Sequence, residues 1–300
     1  MGTDPGLTTP TPASTTRRDF AEQVADAYAG NPAVAAVLLG GSAARGHADR
    51  YSDVELFVVW REPPTETDRA AAIAAAGGDL VTLYPVEDIE RGPLWQDAWK
   101  VGRLGDEPFT GVEVDGSHLL VGTVEHVLRD VVDLFDPDPT KQVAVGGILH
   151  SIPLHGGTLI ANWQERAARY PDGLRVAVVK AHAQIEFLWR LDAYVARDNP
   201  VAGYQLLSAA YEELLHVLLG LNRTYYMGFK SLAAVVQDLS IAPHDLLERI
   251  RATYPLQAGT SKAMLTALVE ETHDLVEQQL PQIDVERLRQ ILRYERPLWE

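Results

Sequence analysis

The chain of 300 residues has no cysteine. That excludes disulfides and thiolate metal sites, and it is compatible with a reducing cytoplasm. No apolar run approaches the ~20 residues that a membrane-spanning helix needs, so no membrane span is expected. Positive charge is scarce: 26 Lys and Arg against 42 Asp and Glu leave a formal net charge of −16. A sequence-independent grip on DNA or RNA needs clustered basic residues to displace counterions, so nucleic acid is not expected as a partner. An acidic surface instead favours a cationic small molecule or a protein, and it equally serves to keep a protein soluble. The histidines are scattered, and pairs such as His118 and His126 or His150 and His155 lack a third ligand nearby. Ser42 lacks a Gly-x-Ser-x-Gly setting, which argues against a serine hydrolase.

What is present is ordinary globular material, 46% hydrophobic and 23% charged, enough for one large domain or two ordinary ones. The Thr- and Pro-rich residues 1–16 have no apolar core and read as a disordered tail. The informative stretch follows the apolar run Ala33 to Leu39. It reads Gly40-Gly41-Ser42-Ala43-Ala44-Arg45-Gly46, a polar turn, then Ser52-Asp53-Val54-Glu55-Leu56. Gly40 and Gly41 let a backbone approach a phosphate closely, Ser42 adds a hydroxyl, and a helix start there would add free N–H groups. Asp53 and Glu55 are two apart on an expected strand, Ser52 to Trp60, so both carboxylates leave one face. Paired hard carboxylates suit Mg²⁺. Each half alone is common, the first as a turn and the second as a solvated strand edge. Their conjunction between two strand-like runs is the specific feature.

This conjunction resembles the nucleotidyltransferase superfamily that includes DNA polymerase β and the small antibiotic nucleotidyltransferases. Gly41-Ser42 and Asp53-Val54-Glu55 carry the resemblance, and Ala44-Arg45-Gly46 and Ser52 look like its bacterial members. The resemblance implies an α+β chain. A polymerase β-like catalytic domain over residues 17–136, a mixed sheet with flanking helices, would precede an all-α bundle over 140–300. It also implies two Mg²⁺ ions bridged by Asp53 and Glu55, with a nucleoside triphosphate as co-substrate. Gly40, Gly41 and Ser42 would hold its phosphates, with Arg45 and Ser52 beside them. Arg45 could instead pair with Asp49.

The family also uses a third carboxylate, as metal ligand and often as base, and here the pattern departs. Residues 109–114 and 118–121 read as short strands joined by a turn at Asp115-Gly116-Ser117, and the second run has no acid. Glu113 and Asp115 share a face of the first, so either could serve, while Asp before Gly is commonly a turn residue. Trp95, Trp99 and Lys100 either border the site or pack. Thr123 reads as the N-cap of a helix to Phe135, and Asp136-Pro137-Asp138-Pro139 is the expected domain boundary. Beyond it the pattern is helical, with one long helix expected over 174–197. On that helix Glu186 is expected to pair with Arg190. In Leu221-Asn222-Arg223-Thr224-Tyr225-Tyr226-Met227-Gly228-Phe229-Lys230, Asn222 can close a helix and Lys230 can reach a phosphate. Tyr225 or Tyr226 could stack on a base or sugar, or pack between helices.

The expected function is Mg²⁺-dependent transfer of an NMP, AMP from ATP in the first instance, to a hydroxyl of a small molecule. An antibiotic of the lincosamide or aminoglycoside kind would fit, which would make this a resistance enzyme. Two alternatives stand beside it. One is a protein-AMPylating, antitoxin-type nucleotidyltransferase. The other is a repurposed or non-catalytic member with a degenerate third carboxylate. The oligomeric state is not legible.

Overall fold

A computed structural model describes residues 9–89, 92–103 and 110–296. The chain packs as two compact units. The first comprises the residues up to Asp130 together with Ala144–Arg169, and the second Val131–Val143 with the residues from Tyr170 onward. The segment between is thus exchanged, rather than cut once near Asp136.

The first unit opens with α1 (Pro12–Ala29). It begins at Pro12, inside the stretch expected as a disordered tail, because Thr11 caps it by accepting the Ser14 N–H and Pro12 suits the first turn. Residues 1–8 of the expected tail lie outside the described residues. Then come β1 (Val34–Leu39), the short α2 (Gly41–Arg45), β2 (Val54–Trp60) and α3 (Glu66–Ala75). A capping box between Thr65 and Asp68 starts α3. β3 (Asp79–Leu83), β4 (Glu87–Ile89), β5 (Gly92–Arg103) and β6 (Thr110–Leu120) follow, then α4 (Val121–Leu128) and a π-helical turn at Arg129–Asp133. α5 (Pro139–Leu149) then straddles the two units, its residues up to Val143 falling in the second, and the first closes with β7 (Ile152–His155) and α6 (Gly157–Ala167).

The strands form one mixed sheet in the order β3-β5-β6-β2-β1-β7, with β4 on β5. β2 and β6 run parallel, and the other described pairs are antiparallel. One face packs on α1: Phe20, Val24 and Tyr28 meet Val54, Leu56, Val58 and Trp60 of β2 and Val112 and Val114 of β6. Trp95 and Trp99 are also buried, so they pack.

Three expectations need correction. β6 is one continuous strand, and Asp115 is a strand residue rather than part of a turn. The reason is its alternation: Val112, Val114, Gly116 and His118 are buried, while Glu113 and Asp115 are exposed. Gly116 is glycine because a Cβ there would lie 3.2 Å from the His118 ring. Phe109, where the first short strand was expected to start, lies outside the described residues. Thr123 sits inside α4, which is entered from Leu120. The stretch after Thr140 is not wholly helical, because β7 returns to the sheet and pairs with β1.

The second unit is helical: α7 (Asp172–His182), α8 (Trp189–Ala196), α9 (Pro200–Leu221), α10 (Leu232–Gln237), α11 (Leu246–Thr253), α12 (Thr260–Gln279) and α13 (Val285–Leu292). The single helix expected over 174–197 is two. α7 stops where the buried His273 donates from Nε2 to the Ala183 carbonyl (3.1 Å), and Phe187 adopts a φ of 64°. Arg190 consequently lies over the Phe187 ring, 4.4 Å from its centroid, while Glu186 meets Gln184. Leu207, Leu214, Leu218, Leu265 and Leu268 form the heart of this unit's core. Among the described residues no helix is long and apolar enough to cross a membrane.

Candidate active site

Strand β1 is buried along its whole length and ends in the glycine pair. Gly40 donates its N–H to the Glu55 carbonyl at 2.9 Å, tying the bend to β2. Gly41 then takes a φ of 63°, a left-handed value that favours glycine. A Cβ at Gly41 would lie 2.7–2.9 Å from the three atoms of the Glu55 carboxyl group. The bend and the acidic strand therefore meet closely, and any larger residue at Gly41 would displace the Glu55 carboxyl group. Helix α2 begins there with Ser42 half-buried in its first turn. Arg45 donates from Nε to the Gly41 carbonyl at 3.3 Å. Burial lowers its pKa, and the charge of Glu55 acts in the opposite sense.

Two arginines of α1 that the sequence reading did not single out hold this region. Arg18 donates to the carbonyls of Ala43 (2.9 Å) and Ala44 (2.8 Å), satisfying the end of α2. Arg17 is 1% exposed and donates through Nε and Nη2 to the Ser52 carbonyl at 3.0 and 2.9 Å. The Ser52 hydroxyl accepts the Asp49 N–H at 3.0 Å. Ser52 thus shapes the loop that delivers Asp53, which is half-buried just before β2.

The parallel register of β2 and β6 sets Val54 beside Val114 and Glu55 beside Asp115. Asp53 and Glu113 each precede the matched valines, so all four acids occur at alternate positions that share one face. On the far side of β6, Ala98 of β5 is opposite Asp115, Gln96 opposite Ser117 and Lys100 opposite Glu113. A cavity of about 440 Å³ opens on this face, with Glu55, Glu113, Asp115, Ser117, Gln96 and Tyr84 in its wall.

Behind the acids lies a buried network that the sequence reading missed. Asp97 forms an ion pair with Arg69 and accepts from His118 Nε2 at 2.6 Å. Trp60 Nε1–H donates to His118 Nδ1 at 3.1 Å, which leaves Nε2 as the nitrogen carrying hydrogen. Burial holds the His118 pKa below its ordinary value, against the opposing pull of Asp97. Asp97 is opposite Gly116, so this network fixes β5 on β6 next to Asp115. The available signal was the alternation Asp115-Gly116-Ser117-His118, read as a turn because of its glycine.

The sheet unit therefore brings together Gly40, Gly41, Ser42, Arg45, Ser52, Asp53, Glu55, Glu113 and Asp115. Lys230 belongs to the helical unit, where it is exposed beside Ser231, the N-cap of α10. In the same unit Asn222 closes α9 and clamps Ile241, donating to its carbonyl and accepting its N–H, each at 2.8 Å. Tyr225 is buried against Tyr170, and Tyr226 packs on His216 and Phe229, so both tyrosines serve helix packing.

The donor set around Glu55 and Asp115 is all carboxylate oxygen, which matches a hard divalent cation in chemistry. Among the described residues, no group of three or more Asp, Glu or His side chains converges as a ready-made metal cage. Fit is thus one of donor type and register.

Residues 17–102 match the family model of the nucleotidyltransferase domain. That span runs from α1 into β5 and includes the glycine bend, Asp53 and Glu55, but stops short of β6. A solved structure of a nucleotidyltransferase-like protein from Exiguobacterium sibiricum 255-15 aligns over 93% of this chain and 88% of its own, at 11% identity and a TM-score of 0.38. No curated protein matches the chain.

Proposed function

We propose, from a nucleotidyltransferase domain spanning residues 17–102, that the chain transfers an NMP from a nucleoside triphosphate, AMP from ATP, to a hydroxyl of a small molecule. The observation that carries this is the contact between Gly41 and the Glu55 carboxyl group, with Asp115 in register beside Glu55. A polyphosphate at the bend would meet the backbone of Gly40 and Gly41 and the Ser42 hydroxyl, with Arg45 balancing its charge. Asp53, Glu55 and Asp115 would hold Mg²⁺, and Glu113 stands next to Asp53 in the pattern. When bound, a pair of such ions stabilises both the attacking and the leaving oxygen. The acceptor hydroxyl oxygen forms a bond to the α-phosphorus, and the bond from that phosphorus to the bridging oxygen breaks to release pyrophosphate. Asp115 takes the hydroxyl proton.

The net charge of −16 and the acidic cavity support a cationic acceptor, such as an aminoglycoside or a lincosamide. The test is calorimetry of ATP with and without Mg²⁺, followed by pyrophosphate release with a panel of both antibiotic classes. Metal-dependent binding and acceptor-dependent release are expected, and the absence of metal-dependent ATP binding would refute the reading. One observation favours a second reading, a repurposed domain that binds nucleotide without turnover: among the described residues, no three ligands converge as they stand. Binding without pyrophosphate release for any acceptor would select it.

A further inference from the structure

We infer that Tyr84, Gln96 and Ser117 form the acceptor side of this site and select a hydroxylated, cationic ring. The inference rests on the nucleotidyl-transfer reading above. Strand order divides the acidic face into two flanks. The glycine bend closes β1, which adjoins β2 on one side, whereas β6 and then β5 lie on the other. The cavity wall is built over that second flank and includes none of Gly40, Gly41, Ser42 or Arg45. Phe57 stands between the flanks, since a Cβ at Gly40 would lie 2.4 Å from its ring. A triphosphate seated at the bend therefore leaves the β6–β5 flank to the group that attacks it.

Register arranges that flank in rows. Asp115 sits between Glu55 and Ala98, and in the next row Ser117 sits between Phe57 and Gln96. Tyr84 ends this row, its N–H donating to the Gln96 carbonyl at 2.9 Å. The row thus offers a hydroxyl, an amide and a phenol that is 47% exposed, all neutral hydrogen-bonding groups, with an aromatic face among them. Among the described residues, the charged groups of the wall are all acidic, with no Lys, Arg or His. Lys100, opposite Glu113, stands on the same strand but outside the wall. An anionic acceptor would meet like charge here, whereas an ammonium group on a polyhydroxyl ring meets carboxylates, hydrogen-bonding partners and a ring face.

The experiment compares the full chain with Tyr84→Ala, Gln96→Ala, Ser117→Ala and Gln96→Lys. Gln96 and Tyr84 are exposed, and Gln96 serves the fold through its backbone carbonyl, so these variants are expected to fold. Two readouts are used: Mn²⁺-dependent ATP affinity by calorimetry, and pyrophosphate release with tobramycin and lincomycin as probes. Each alanine variant is expected to raise the acceptor KM about tenfold, the loss of one hydrogen bond or ring contact. Gln96→Lys is expected to raise it further by charge repulsion, and ATP affinity is expected to stay at the wild-type value throughout. Unchanged acceptor KM in all variants, or no turnover of either probe by a wild type that binds ATP, overturns this inference alone. A phosphorylated sugar turned over in preference to both probes overturns the charge assignment. A wild type without metal-dependent ATP binding fails one step earlier, at the nucleotidyl-transfer reading itself.

Discussion

Replacing Gly41 by alanine separates folding from function in a way the geometry makes quantitative. Gly41 has a φ of 63°, and so has a comparable control, Gly77, with a φ of 72°. A non-glycine residue in that region costs about 1–2 kcal/mol. At Gly77 an added Cβ meets nothing within 4 Å, so Gly77→Ala isolates this backbone cost. At Gly41 the Cβ would stand 2.7 Å from the nearest Glu55 carboxyl atom. An ordinary contact needs roughly 3.4 Å, so that carboxyl group must retreat by about 0.7 Å, given the 2.7 Å start. It is the far end of a flexible side chain, so its retreat adds little to the folding cost. Both variants should therefore lose a similar ~1–2 kcal/mol in urea unfolding. Function should divide them. A retreat of that size exceeds the ~0.5 Å tolerance of a preorganised site, and misplacements near 1 Å cost about 10²-fold. Calorimetry with Mn²⁺ and ATP should show wild-type affinity in Gly77→Ala and a loss of between about 10- and 100-fold in Gly41→Ala. A Gly41→Ala variant that binds metal and ATP like wild type would refute the claim that this bend and Glu55 work as one site.

Other outcomes follow from the same site. Asp53→Asn should eliminate metal-dependent ATP binding at unchanged thermal stability and lower any turnover by about 10³-fold. Asp115→Asn should reduce turnover by at least ~10²-fold, and Glu113→Gln by clearly less, because only Asp115 is in register with Glu55; equal effects would reverse that ranking. Arg17→Met should cost about 1–3 kcal/mol in chemical denaturation by leaving the Ser52 carbonyl without its charged donor, and should weaken Mn²⁺ binding as Asp53 loses its mooring. His216 is held down to about 4 by burial, with the charge of His182 acting in the same direction and Glu213 opposing. Its folded form thus refuses a proton that the unfolded chain takes below its ordinary value of 6.5. Its stabilising contribution is full above that value and erodes as pH falls toward about 4. His216→Phe, which keeps a ring against Tyr226, should flatten the fall in melting temperature over that interval.

The legible parts of the fold were those fixed by local signals. β1 is a bare apolar run, and the bend before β2 carries its glycines and acids in the open. What escaped depended on distant partners. Gly116 looks like a turn residue until His118 and Asp97 are placed against it, and then it is a small residue in a tightly packed strand. Residues 183–188 carry helix-forming side chains, yet a histidine from α12 claims the carbonyl at which α7 ends. Arg17 and Arg18 drew no notice in the sequence, because their acceptors are backbone carbonyls, which leave no trace in a residue pattern. The third acid stayed ambiguous between Glu113 and Asp115 for the same reason: only strand register distinguishes them.

Strand β7 has a consequence for how this molecule is made. It lies on the open flank of β1, with Val37 opposite His155 and Leu39 opposite Ile152. Emerging from the ribosome, the chain must therefore release residues 131–143, which belong to the other unit, before the last strand of the sheet becomes available. Until then β1 presents a row of bare backbone groups, the kind of border at which nascent chains stick to one another. Any excised catalytic fragment would inherit this problem if it stopped at the proline-rich break, and would need to continue through α6 to be sealed.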